Sequence, residues 1–196
     1  MVMNKWDQIF SNNPQYKPLN EHFLNNLLTK IKADINPPLQ KVVDLGCGTA
    51  QTLFQFSKLG FNVTGLDFSE VALNKVQQKI EENKITNIKL IKLDLSNEKI
   101  NLEADIFLCN FVYTFINKKE FFLKNVAQCL RGDSTFILIT PVTHSGTFYT
   151  EEDKVNIAVD FEETTKLLKN IFSNVEIYHH DYIGFREDYV TFLIKK

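Results

Sequence analysis

The most constraining stretch of this chain is Lys41 to Ala50, where a β-branched run ends in Asp44-Leu45-Gly46-Cys47-Gly48-Thr49 and a helical pattern follows at once. A strand that turns into a helix across two glycines is the opening unit of a parallel α/β sheet, because parallel neighbours need a helical crossover between them. The alternation continues. Residues 62–67, 88–93, 104–112 and 135–140 read as further strands, and 49–59, 70–83 and 117–130 as helices. Upstream, Phe23, Leu24, Leu27, Leu28 and Ile31 form a helical stripe that Pro37-Pro38 stops.

Local signals sharpen these boundaries. Ser69 is placed to cap a helix whose buried stripe is Ala72, Leu73, Val76 and Ile80. Asn117 with Glu120, and Asp160 with Glu163, are spaced as capping boxes. Ala104 to Val112 is almost continuously apolar, as a central strand covered on both faces must be. The fifth strand is expected to end at Thr140, before Pro141, and residues 141–159 lack any period, which marks a functional loop. Residues 175–185 and 189–194 read as two strands joined near Gly184, too closely connected to be parallel.

The expected fold is α/β: a Rossmann-like, doubly wound, mostly parallel seven-stranded sheet with helices on both faces and an antiparallel C-terminal hairpin. The expected organisation is a single domain over residues 1–196. In it, 1–36 supply an aromatic segment and helix acting as a lid, and 37–196 supply the core.

In such a sheet, ligands sit beyond the carboxyl ends of the strands, so the first turn decides the ligand class. Gly46 and Gly48 permit a sharp turn and close approach of a ligand to the backbone. A dinucleotide fingerprint needs a third glycine, and Gln51 stands at that position. Asp44, two residues before Gly46, would also lie against a dinucleotide's pyrophosphate. A cofactor with an ammonium group and no phosphate suits it better. Asp67, ending the second strand about twenty residues on, is placed to accept ribose hydroxyls from an adenosine of either class. Phe68 can lie along an adenine, and Asp94 can accept from its exocyclic amine.

Taken together, residues 42–140 resemble the class I S-adenosylmethionine-dependent methyltransferases. The resemblance rests on Asp44-Leu45-Gly46-Cys47-Gly48-Thr49, Gly65-Leu66-Asp67-Phe68-Ser69, Leu93-Asp94-Leu95 and Cys109-Asn110-Phe111-Val112. It implies S-adenosylmethionine as cofactor and S-adenosylhomocysteine as product. The glycine loop, with Cys47 and Thr49, would hold the methionine part, Asp67 the ribose, Asp94 and Leu95 the adenine. Asn110, Phe111 and Val112 would form the floor near the sulfonium. Trp6-Asp7 and Tyr16 are similar to the aromatic N-termini of small-molecule methyltransferases of the thiopurine and tellurite-resistance type, implying that Trp6 and Tyr16 close over the cofactor and that the acceptor is a small molecule. One departure is Ala50, where many members carry a glycine. A nicotinamide-dependent oxidoreductase and a non-catalytic cofactor-binding module remain the alternatives.

Other residues add less. His144 and Tyr113 are the candidates for a general base, and Tyr149 for a pocket wall. His179 and His180 are adjacent on a strand and face opposite ways, so no metal site is expected there. Cys47, Cys109 and Cys129 form no C-x-x-C pair and read as packing residues. A net charge of -2 without a dense basic run does not favour a nucleic-acid partner. No membrane-spanning run or signal-peptide core is apparent, and a cytoplasmic setting is the expectation.

Overall fold

A computed structural model describes residues 5–12, 19–31, 40–144, 158–180 and 188–195. Two helices, α1 (Lys5–Ser11) and α2 (Glu21–Lys30), precede the first strand. Then β1 (Lys41–Leu45), α3 (Gln51–Lys58), β2 (Asn62–Asp67), α4 (Glu70–Glu82), β3 (Ile88–Lys92) and β4 (Ile106–Asn110) alternate. A 3-10 turn (Tyr113–Phe115), α5 (Lys119–Cys129), β5 (Thr135–Thr143), β6 (Val159–Asp160), α6 (Phe161–Ile171), β7 (Asn174–His180) and β8 (Asp188–Lys195) complete the order. The strands lie in one sheet in the order β3-β2-β1-β4-β5-β8-β7, with the two-residue β6 beside β5. Strands β1 to β6 pair in parallel, whereas β8 is antiparallel to both β5 and β7. The anticipated hairpin is therefore present, and β8 is inserted between β5 and β7.

Side-chain alternation along the strands divides the core into two. Val42, Ile106, Leu108, Ile137 and Ile139 pack with α2, α3 and α4. Val43, Phe107, Cys109, Phe136 and Leu138 pack with α5 and α6. Ala72, Leu73, Val76 and Ile80 are buried as the stripe on α4 requires, and Ser69 accepts from the Ala72 amide as its cap. Leu24, Leu27 and Leu28 place α2 in the sheet's core, so the expected lid divides: α2 is a packing helix. Only α1 lies elsewhere, over the glycine loop.

Three boundaries differ from expectation, each for a local reason. The fifth strand runs through Pro141 to Thr143; its pairing with β4 ends at Ile139, so no β4 neighbour needs an N–H from Pro141. The box at Asn117 and Glu120 does not form. The Asn117 amide donates to Ser96 Oγ at 3.2 Å, and α5 starts later behind Lys118 with no side-chain cap. The strand expected to reach Val112 stops at Asn110, because Phe111 is left-handed with φ 56°. At Asp160 the N-cap half of the expected box forms: Asp160 Oδ1 accepts from the Glu163 amide at 2.7 Å. Tyr16, Tyr149, Gly184 and most of the loop expected at 141–159 lie outside the described residues.

Candidate cofactor site at the carboxyl end of the sheet

The glycine loop is tied to β2 rather than hanging free. The amides of Gly46 and Cys47 both donate to the Leu66 carbonyl, at 2.8 and 2.9 Å. Gly46 (φ 84°) and Gly48 (φ 50°) are left-handed, and so is Ala50 (φ 64°). A Cβ on Gly46 would come within 2.6 Å of Val112 Cγ1, so the glycine lets the β4 end close on the β1 end. The Ala50 conformation explains why α3 starts at Gln51 rather than at Thr49.

Two carboxylates flank this loop. Asp44 is only 4 % exposed, and no hydrogen bond or ion pair to its carboxyl occurs among the described residues. Burial, aided by the charge of Asp67, raises its pKa to about 7. Asp67 is also buried. Its Oδ2 accepts from the Gly48 amide and its Oδ1 from the Ser69 amide, both at 2.8 Å. Burial still raises its pKa, and those amide hydrogen bonds hold the shift back. Among the described residues no cation pairs with either carboxylate. Asp44 and Asp67 are thus brought close enough at the loop to sense each other's charge.

The remaining candidates lie at or just beyond the carboxyl ends of β1 to β4. Asn110 donates weakly to Thr52 Oγ1 at 3.4 Å, and its buried Oδ1 has no partner. An acceptor without a donor, beside two uncompensated carboxylates, fits a cofactor carrying an ammonium group. Phe111 is 38 % exposed, and its ring is 5.7 Å from that of Tyr189. Phe68 is exposed, Leu95 and Thr49 are buried, and Cys47 is buried with its thiol pushed well up by desolvation. Asp94 has a second duty: its Oδ1 accepts from the Ser96 amide at 2.8 Å and its Oδ2 from Asn97 Nδ2 at 2.7 Å. Its carboxylate organises the turn after β3.

Helix α1 supplies what sequence reasoning only partly saw. Trp6 stacks on Phe10 and meets Phe115 edge-on at 4.8 Å. Phe10 lies over Gly48, so close that a Cβ there would sit 3.2 Å from its ring. Ser69 Oγ donates to Asp7 Oδ1 at 2.5 Å, and Lys75 Nζ donates to the Phe10 carbonyl at 2.7 Å. Aromatic content flagged Trp6. The roles of Asp7 and Phe10 had no signal, because their partners lie about sixty residues away in sequence.

The two base candidates are placed differently. Tyr113 is fully buried, its hydroxyl has no partner, and burial pushes its phenol up. A phenolate is not accessible there near neutral pH, so the base expectation for Tyr113 does not suit its surroundings. His144 Nδ1 is 3.5 Å from Glu162 Oε1, and its ring neighbours those of Phe161 and His179. His180 faces the other way, against Phe23 and Tyr189, as alternation along β7 requires. Among the described residues, no group of three or more potential metal ligands is found, and no helix is long and apolar enough to cross a membrane.

Comparison with known proteins identifies the family and the fold. The sequence model of a methyltransferase domain matches residues 38–182. Human EEF1A lysine methyltransferase 2 is 28% identical over 162 residues, covering 77% of this chain and 64% of that protein. The chain thus spans less than two thirds of that relative. Among solved structures, Haemonchus contortus phosphoethanolamine N-methyltransferase 2 in complex with S-adenosyl-L-methionine matches with a TM-score of 0.78 at 13% identity, over 94% of this chain and 54% of that one. TehB from Haemophilus influenzae matches with a TM-score of 0.69 at 17% identity, over 98% and 67% respectively. These two likenesses establish the shared fold. With the family match spanning well over half of its residues, the chain belongs to the class I S-adenosylmethionine-dependent methyltransferases.

Proposed function

We propose that the protein transfers a methyl group from S-adenosylmethionine to a small-molecule acceptor. The observation that carries the cofactor part is the buried, uncompensated pair Asp44 and Asp67 around the glycine loop. A pyrophosphate brought to that loop would meet two carboxylates in a medium of low dielectric, whereas an ammonium would offset them. In this reading Asp44 and Asn110 Oδ1 face the ammonium, and Asp67 accepts the ribose hydroxyls with lone pairs left over from its two amide bonds. Phe68 lies along the adenine, Leu95 packs at its edge, and Asp94 accepts from its amine while holding the turn.

The cofactor, when bound, supplies a methyl group already activated on a sulfonium. The protein's share is alignment and exclusion of water. Helix α1 covers the glycine loop, and Trp6 against Phe115 walls one side. On the other side Phe111, Tyr189, His180 and Phe23 form a run of neighbouring rings. Such a rim suits a small acceptor with an apolar or planar face. His144 is the remaining candidate for a base, should the acceptor lose a proton.

A protein acceptor is the competing reading, favoured by the identity to the human lysine methyltransferase over 77% of the chain. Thermal shift with S-adenosylhomocysteine and NAD tests the cofactor; stabilisation by NAD alone would overturn it. Transfer of labelled methyl into a small-molecule panel, against a cell lysate's proteins, tests the acceptor. Label found only in protein would overturn the small-molecule part.

A further inference from the structure

A cavity lies on the α5–α6 face of the sheet. It measures about 410 Å³ and is lined by the 3-10 turn, the start of α5, β6 and the first two turns of α6. Its volume falls in the range of small-ligand pockets. Two opposite charges border it: Lys119 from α5 and Glu163 from α6. No ion pair joins them, and the Glu163 carboxylate has no hydrogen bond among the described residues. The other carboxylate of the lining, Asp160, is engaged as the cap of α6.

Lys119 is poorly explained by its own helix. It stands at the first residue of α5, where the helix dipole is positive and disfavours a cation. The amides of that first turn have no side-chain cap. Lys119 Nζ donates once, to the Ile116 carbonyl at 2.9 Å, and sits 5.4 Å from the centre of the Tyr113 ring. An ammonium has three donors, so two remain. Burial lowers its pKa and the Glu163 charge works against that shift, so the two charges sense each other across the cavity. Tyr113, fully buried in the cavity wall, carries a hydroxyl without a partner. One wall is thus positive with spare donors, and the facing wall is negative.

We propose that this cavity binds a small zwitterion, an amino-acid-like molecule whose anionic group is held by Lys119 and whose ammonium is held by Glu163. The turn that walls the cavity at Tyr113 begins beyond Val112, which packs on Gly46, so the site adjoins the cofactor cradle, while Lys119 and Glu163 stand on α5 and α6 away from the glycine loop. The proposal does not rest on methyl transfer.

The test is a titration of the full chain with glycine, β-alanine and γ-aminobutyrate, followed through the backbone amide signals of Thr164 and Leu167 in two-dimensional NMR. Propionate and propylamine serve as the singly charged halves. At least one zwitterion is expected to bind with a Kd of about 1–10 mM, about tenfold tighter than either half. Lys119→Met and Glu163→Gln are each expected to weaken it about tenfold. Both side chains are partly or fully exposed, so the fold should survive, and the S-adenosylhomocysteine affinity measured in the same samples should not change. Absence of any shift with all three zwitterions, equal binding of a half, or full binding by both variants would overturn the site.

Discussion

The Gly48 amide and the Ser69 amide both donate to the carboxylate of Asp67, one to each oxygen and each at 2.8 Å. The candidate ribose partner is therefore also a clip between the glycine loop and the start of α4. Ser69 in turn caps α4 and donates to Asp7, so the clip extends to α1.

Asp67→Ala is expected to act twice. The ribose loses its acceptor, and the buried Ser69 amide and the half-buried Gly48 amide lose theirs, the buried loss costing about 1–3 kcal/mol. Calorimetry should show S-adenosylhomocysteine affinity down by at least about tenfold. Thermal unfolding without cofactor should also shift down. Unchanged affinity would remove the ribose assignment.

Asp44 makes the cofactor-free protein sensitive to pH. Its folded pKa of about 7 lies above the usual 3.8, so its neutral form is the one the fold prefers. The sign follows: this contribution to stability is complete below about pH 4 and is lost as pH rises through about 7. A three-unit shift corresponds to roughly 4 kcal/mol at most. A bound ammonium reverses the preference. Binding of S-adenosylhomocysteine should therefore release a proton below pH 7, and affinity should climb with pH until it levels off above 7. Calorimetry in buffers of different ionisation heat reads that proton, and Asp44→Asn should abolish its release.

Much of this arrangement was legible in the sequence because it is local. The strand and helix periods, the Ser69 and Asp160 caps, and the opposite facing of His179 and His180 all depend on residues within a turn or two. Asp44, Asp67 and the glycines were legible because strand ends in a parallel sheet converge by construction. The misses involve partners distant in sequence. Asn117 lost its box to Ser96, Pro141 was tolerated through the register with β4, and Phe10 found Gly48 across the fold. The left-handed Phe111 had no signal at all, since a bulky aromatic is not expected at positive φ.

Helix α1 is short and its Phe10 belongs to neither of the two core clusters that flank the sheet, so it should undock without global unfolding. Phe10→Ala removes the ring over Gly48 and part of the stack on Trp6. Trp6 is the chain's one tryptophan, which makes fluorescence a direct reader. The expected result is a red-shifted emission, faster hydrogen exchange in residues 7–11, and little change in the amides of β1 and β4. Dissociation of S-adenosylhomocysteine should quicken if α1 retains it. An unchanged dissociation rate with an undocked Trp6 would show that α1 does not cover the cofactor.

The contact between Gly46 and Val112 separates two reasons for a glycine. At φ 84° a side chain is strained whatever the space, and a Cβ would also meet Val112 Cγ1 at 2.6 Å. Left-handed backbone costs roughly 1–2 kcal/mol, and overpacking typically about 1–3 kcal/mol more. Gly46→Ala should therefore lower stability by roughly 2–5 kcal/mol in denaturant unfolding, the sum of the two costs. Val112→Ala alone opens space at a half-buried position and should cost less. In the double variant the 2.6 Å collision is relieved, leaving a tight 3.1 Å approach to the remaining Cβ of residue 112, and the strained φ persists. Its loss should fall short of the sum of the single losses by about 1–3 kcal/mol, the size of the overpacking cost. Strict additivity would mean that backbone strain alone selects glycine here, and that Val112 does not set how closely the β4 end approaches the loop.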